Sequence, residues 1–401
     1  MGYKLYVAGG VVRDLLLGIE CLDIDLVVEG DGIELAQALS KEYNGRLRLH
    51  PKFGTAKVVF PNGVQVDVAT ARVEFYQYPA AMPQVETSSL QQDLYRRDFS
   101  INAMAVSLNE GSFGDVVDFF GGRADLERGM VRVLHNLSFI EDPIRILRAL
   151  RFEKRFHMNL EAQTLKLVQE AANIKMLSRV PNERIWEELK HIFREPRPGE
   201  VLVRLIDLNL WDCLFPGVVP KQVRQVLTQV SHSVKLLRSW NLLEPLEGWL
   251  VYFLAVLHDT DWTNAGEICR RYNLSKRYTI RVAAALGNWR RLVNNLQEPL
   301  AITCSELARQ VMLLPREAYP LVLCYLNDSA SRRRFRKVLS SISCNKPLIK
   351  GEELRKLGYK PGPLYKKVLN GLWQARLDGD LRTKQEELSY VQEYLTKYEG
   401  R

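Results

Sequence analysis

Asp23 and Asp25 are separated by a single residue and lead directly into Leu26-Val27-Val28. On a strand, residues two apart share a face, so the two carboxylates project together. Side by side they repel unless a cation lies between them. Magnesium prefers oxygen ligands and is held by a few carboxylates plus substrate phosphates. A pair of such ions suits in-line phosphoryl displacement. Asp67 lies on a neighbouring strand candidate, where an aspartate is otherwise disfavoured, and is a candidate third carboxylate.

Upstream, Gly9-Gly10-Val11-Val12-Arg13-Asp14 stands between a strand and a helix start. Glycines there permit tight backbone geometry and close approach of a phosphate. The N–H groups of a helix N-terminus point at the same space, and Arg13 can add charge-assisted hydrogen bonds. Further along, Asp142-Pro143 reads as an N-cap followed by a first helical position. Arg145, Arg148 and Arg151 then recur every three residues, while Ile146, Leu147 and Leu150 face the other way. A stripe of arginines unrelieved by nearby acids is costly unless anions sit on it.

These side chains need elements to hold them. Lys4–Ala8 reads as a short apolar strand, residues 11–17 as a helix start and residues 24–28 as a second strand. Residues 56–60 and 64–68 flank Pro61-Asn62-Gly63, a hairpin signal, and residues 103–108 give another strand. Beyond about residue 140 strand-like alternation fades and helical spacing dominates, as in residues 144–156, 161–172, 183–193 and 200–208. Breaks at Pro196, Pro198, Pro216, Pro220, Pro299, Pro361 and Pro363 divide this part into helical subdomains. The expected fold class is α+β: a head with a small mixed sheet, then an all-helical remainder.

Gly9-Gly10-x-x-Arg13-Asp14 with Leu22-Asp23-Ile24-Asp25 resembles the nucleotidyltransferase motif of the DNA polymerase β superfamily, in the form carried by class II CCA-adding enzymes and bacterial poly(A) polymerases. The resemblance implies that Asp23 and Asp25 are the catalytic metal ligands, with Mg²⁺ as cofactor, and that Gly10 and Arg13 contact the nucleotide. Arg96-Arg97-Asp98-Phe99-Ser100-Ile101-Asn102-Ala103-Met104-Ala105 is similar to the family's next block, with Ser100 where threonine is usual. By that match Arg97 contacts the nucleotide, and Asp98 and Asn102 organise the sugar side and the turn. Phe119-Phe120-Gly121-Gly122-Arg123 resembles a structural turn between head and neck. The block around Asn182-Glu183-Arg184-Ile185 resembles the last neck segment and reads as scaffold, with Asn182 or Ser178 as its helix cap. The implied domains are a nucleotidyltransferase head over 1–138, a base-recognising helical neck over 139–200, a helical body over 201–300 and a tRNA-binding helical tail over 301–401.

The same resemblance assigns Asp142 and Arg145 to reading the base, with Arg148 and Arg151 supporting the site and its phosphates. Donor and acceptor counts agree with this. A carboxylate only accepts and a guanidinium only donates. Asp142 can take the amino group of cytosine or adenine while Arg145 donates to a ring nitrogen. Uracil and guanine present a carbonyl instead, and each such mismatch costs about 1–3 kcal/mol per unpaired group.

In the remainder, His258-Asp259 resembles the His-Asp pair of metal phosphohydrolases, but no further metal-spaced histidines follow and His258 reads as degenerate. Arg332-Arg333-Arg334-Phe335-Arg336-Lys337 is a candidate tRNA-backbone contact. Residues 350–363 and 375–379 resemble the family's C-terminal segment, which contacts the tRNA elbow. A net charge of +9 is compatible with a polyanionic partner. No run of about 18 apolar residues exists to span a membrane. The start lacks the layout of a signal peptide. The six cysteines form no C-x-x-C, which argues against zinc and for a reducing cytoplasm.

The expected activity is template-independent addition of C and/or A from CTP and ATP to the tRNA 3′ end by two-metal phosphoryl transfer. A-only addition, CC-only addition and poly(A) synthesis are the alternatives within the family; an inert RNA-binding protein is the alternative outside it. Residues 71–89 are where the family's flexible loop, associated with switching from C to A, is expected, and its presence disfavours a CC-only enzyme.

Overall fold

The computed structural model of the chain describes residues 2–20, 23–75, 77–78, 84–242, 245–298, 302–356 and 362–399, with backbone alone for residues 23 and 395–399. Cys21, Leu22, part of the expected flexible loop and the Leu357–Pro361 stretch of the C-terminal motif lie outside the described residues. The chain forms two compact units, Met1–Leu214 and Phe215–Arg401. The expected head and neck both fall within the first.

The first unit opens with β1 (Lys4–Ala8), α1 (Gly10–Leu16) and β2 (Asp23–Glu29). Then come α2 (Gly32–Glu42), β3 (Arg46–His50), β4 (Thr55–Val59) and β5 (Gln65–Thr70). Next are the paired strands β6 (Arg72–Phe75) and β7 (Gln84–Thr87), α3 (Leu90–Tyr95), β8 (Ala105–Ser107) and β9 (Val116–Val117). A seven-stranded sheet has the order β3-β4-β5-β2-β1-β8-β9. Only β2 and β5 run parallel in it; the other neighbours are antiparallel.

Successive side chains of a strand point to opposite faces, and β2 follows this rule. Leu26 packs with Ala36 of α2 and with Ala56, Val58, Val66 and Val68. Val27 packs on the other face with Leu90 and Leu94 of α3. Asp25, two residues before Val27, therefore shares the face on which α3 is laid down, and α3 ends directly at Arg96 and Arg97.

The remainder of the first unit is mostly helical: α4 (Gly122–Glu127), α5 (Ser138–Glu141), α6 (Ile144–Arg155), α7 (Ala162–Asn173), α8 (Asn182–Arg194), α9 (Pro198–Asp207) and α10 (Trp211–Leu214). α6 buries Ile146, Leu147, Ala149 and Leu150 completely, each large aliphatic contributing about 1.5–3 kcal/mol. Phe152 meets Phe99 edge-on at 5.8 Å between centroids, pinning α6 to the turn after Arg97. α8 begins at Asn182 with Pro181 in the cap position, so neither Asn182 nor Ser178 caps it as expected.

The second unit is helical and centres on the helix Gly248–Leu257, whose residues from Leu250 to Leu257 are all buried. A helix apolar on every side belongs inside. His258 follows it and is fully buried, with Nδ1 2.8 Å from the Ala255 carbonyl and Nε2 2.7 Å from the Tyr325 hydroxyl. Burial holds its pKa below the ordinary histidine value. It is a satisfied core residue, in keeping with the degenerate reading. Among the described residues no helix is long and apolar enough to cross a membrane.

Candidate active site

Across the parallel pair β2–β5, Asp25 is the register partner of Asp67. Lys57 on β4, the register partner of Asp67 on its other side, holds that carboxylate at 2.9 Å. Asp25 and Asp67 line a hollow of about 260 Å³ together with His50 and Arg97. Asp25 and Arg97 also line a larger cleft of about 630 Å³. Gly10, Arg13, Asp142, Arg145, Arg148 and Arg151 share that larger cleft. Eight of the expected site residues thus converge from four parts of the sequence. The ninth, Asp23, is placed only by its backbone, opposite Gln65 at the start of β2.

Gly9 sets the turn between β1 and α1 at φ 92°, ψ −135°, a conformation closed to residues with a Cβ. A side chain at Gly9 would also run into the Arg97 guanidinium. Arg13 is buried and commits Nε and Nη2 to Asp14 at 2.8 and 2.7 Å and Nη1 to Asn102 at 2.6 Å. Its guanidinium also lies 4.6 Å from the centroid of Phe156. Arg13 therefore buttresses the wall of the cleft that it lines, and two of its five N–H groups remain for the expected nucleotide contact. Arg97 differs: Nη2 reaches Asp93 at 3.2 Å, and its buried Nε has no hydrogen-bond partner.

Asp98 accepts from the Phe99 amide and the Asn102 side chain, both at 2.9 Å, and from Arg148 Nε at 2.8 Å. Burial alone would raise its carboxyl, but Arg148 and the Asn102 amide hold it below the usual carboxylate range. Asp93, fully buried, is likewise held down by Arg97 and Arg96 against its own burial.

The arginine stripe on α6 is present, but the expectation that it is unrelieved by acids is corrected. Arg148 pairs with Asp98 at 2.7 Å. Arg151 pairs with Glu188 at 2.6 Å and Glu195 at 3.2 Å. The acids come from distant segments, which local sequence reading does not see. Arg145 has no carboxylate partner within salt-bridge reach among the described residues; it donates to Ser138 Oγ at 2.9 Å and to the Arg96 carbonyl at 2.6 Å. Of its five N–H donors, those two bonds leave three. The N-cap expectation shifts by one residue: Pro143 occupies the cap, and Asp142 Oδ1 accepts from the Ile144 amide at 3.3 Å.

Sequence reasoning missed α8 as a wall of the site. Arg184 Nη2 lies 3.0 Å from both oxygens of Asp142. Glu188 pairs with Arg151, and His191 lines the cleft. The signal was available: positions 184, 188, 191 and 195 carry polar residues at helical spacing, beside the apolar stripe of Ile185, Leu189 and Ile192.

Among the described residues no group of three or more histidines, cysteines or acids is gathered as a metal cage. The donors near Asp25 are nevertheless carboxylate oxygens on adjacent strands in matched register, a hard-oxygen set that fits a divalent cation completed by substrate phosphates.

Comparison with known proteins agrees with this architecture. Residues 5–132 match the poly(A) polymerase head domain family, and residues 157–221 match the family described as a probable RNA and SrmB-binding site of polymerase A. The A-adding tRNA nucleotidyltransferase of Geobacter sulfurreducens is 36% identical over 96% of this chain, which spans 44% of that protein's length. The A-adding tRNA nucleotidyltransferase of Halalkalibacterium halodurans is 33% identical over 98% of this chain and 88% of its own. The solved Thermotoga maritima CCA-adding enzyme complexed with tRNA superimposes with a TM-score of 0.83 at 33% identity, covering 98% of this chain and 92% of that one. Fold and sequence together define a polymerase-type nucleotidyltransferase head joined to helical domains. The chain belongs to the class II tRNA nucleotidyltransferase and poly(A) polymerase family.

Proposed function

We propose that this chain transfers nucleotides from CTP and ATP, without a nucleic-acid template, to the 3′ end of tRNA in the cytoplasm. The observation that carries the reading is the meeting of Asp25, Arg97, Asp142 and Arg145 in one cleft. Arg97, which lines both the cleft and the hollow beside Asp25, donates to the triphosphate. Asp142 accepts the amino group of cytosine or adenine, and the remaining N–H groups of Arg145 donate to the ring. Asp23 and Asp25 hold a divalent cation, expected to be Mg²⁺, which when bound activates the attacking hydroxyl and neutralises charge on the leaving pyrophosphate. Asp67, paired with Lys57 through one oxygen, has its other oxygen to join them. Transfer then rests on positioning and charge complementarity supplied by the cleft.

A narrower reading, addition of the terminal A alone, is favoured by the A-adding relatives at 36% and 33% identity. The assay uses tRNA transcripts lacking their last three, two or one nucleotides, each labelled nucleotide in turn, and Mg²⁺. Extension of all three supports full CCA addition; extension of the last alone supports the A-adding enzyme. Asp25→Asn is expected to slow extension about a thousandfold, the size of several kcal/mol of charge stabilisation. If the wild-type chain extends no tRNA, the proposal is wrong.

A further inference from the structure

We infer that Arg184 is a specificity-determining residue that sets the orientation of Asp142 for base selection. This deepens the reading above and rests on it. Asp142 lines the cleft, while Arg184 is not part of the lining and approaches the carboxylate from behind. One guanidinium nitrogen stands 3.0 Å from both carboxylate oxygens. That contact anchors the carboxylate group at the edge of the cleft, while the Ile144 amide on Oδ1 tells its two oxygens apart and sets its rotation.

Each end of the pair is anchored. Arg184 lies in the first turn of α8, where its amide bonds the Pro181 carbonyl at 3.1 Å and the adjacent Ile185 is fully buried. On the other side, Asp142 Oδ1 takes the Ile144 amide at 3.3 Å, at the start of α6. Oδ1 is thus committed twice, to a backbone amide and to Arg184, while Oδ2 is committed once. A carboxylate oxygen accepts about two hydrogen bonds, so Oδ2 is the atom with room for an amino group of the incoming base. Reading of cytosine and adenine against uracil and guanine then depends on a carboxylate held in one rotation. Without Arg184, Asp142 keeps its charge but loses its aim.

Arg184 is a positioning residue, since it acts through Asp142. The test compares wild type, Arg184→Met, Arg184→Lys and the exposed neighbour control Glu183→Gln in extension of the shortened tRNAs with each of the four nucleoside triphosphates. The readout is the ratio of kcat/KM for the preferred nucleotide to that for its carbonyl-bearing counterpart. Arg184→Met is expected to lower this ratio about tenfold, near the low end of what one hydrogen-bonded recognition group contributes. Arg184→Lys keeps the charge but reaches Asp142 from a single mobile point, and should recover part of the ratio. Glu183→Gln should leave it unchanged, and melting temperatures show whether each variant is folded. If Arg184→Met does not fold, the lysine variant decides: its ratio must still lie below wild type. An unchanged ratio in a folded variant overturns the inference, whatever happens to the overall rate. A wild-type chain that extends no tRNA removes the functional reading itself, and this inference with it.

Discussion

Asp98 and Arg148 meet 50 residues apart in sequence and 2.7 Å apart in space. Burial by itself would raise the Asp98 carboxyl, but Arg148 and Asn102 hold it below its ordinary value. A carboxyl lowered on folding binds fewer protons in the folded chain than in the unfolded one. Its stabilisation is complete above the unfolded value near pH ~4 and is lost as pH falls through the lower folded value. Asp98→Asn should therefore lower stability at pH 7 and flatten the loss of stability expected of wild type below about pH 4, both read from urea melts across pH. Types and spacing marked the Asp23–Asp25 pair and the arginine stripe of α6, whereas Arg97 and the base-reading roles expected of Asp142 and Arg145 came from the family resemblance. Their partners showed only as a polar stripe on α8, with no sign of what each would meet. Nothing near Arg151 in sequence announces Glu188 or Glu195, and nothing near Asp142 announces Arg184, since those pairs exist only once α6 and α8 pack.

That packing is the contribution of whole elements. α6 turns Arg148 and Arg151 toward α8, and α8 answers with Glu188 and with Glu195 just past its end. Arg151 and Glu188 are both buried. Arg151 keeps Glu195 as a partner when the Glu188 charge is removed, so Glu188→Gln should cost less than the about 3–5 kcal/mol of an isolated buried pair, read by chemical denaturation. Replacing both by methionine should recover most of that stability. If Glu188→Gln melts like wild type, the pair is not the tie between the two helices. Helix and strand positions were readable to within a residue or two, β1 and α6 among them, because apolar periodicity fixes them. The joining of β2 to β5 in parallel was not readable, since strand order depends on contacts that no local pattern encodes.

At the scale of the molecule, a net charge of +9 acquires a location. In the second unit, the helix Ser329–Cys344 exposes Arg333, Arg336 and Lys337. Arg332 and Arg334 belong to a different account: they donate to the carbonyls of Leu326, Leu296 and Glu298 and close the ends of two helices. The basic run therefore divides into residues that hold the fold and residues left for a polyanion. Replacing Arg333, Arg336 and Lys337 by glutamine should weaken tRNA binding and lower the slope of log affinity against log salt by about one for each phosphate no longer neutralised. The same replacement at Arg332 or Arg334 should lower the melting temperature instead. An unchanged salt slope in the triple variant would place the RNA elsewhere.

The absent side chain at Gly9 makes two distant motifs one genetic unit. The space a methyl would fill is where the tip of Arg97 rests, so Gly9→Ala strains the turn and at the same time displaces Arg97 from the opposite wall. Gly9→Ala and a substitution of Arg97 should share one kinetic defect, a raised KM for the nucleoside triphosphate. Combined, they should cost little more than the worse of the two alone, the non-additivity expected of neighbours that act on the same atoms.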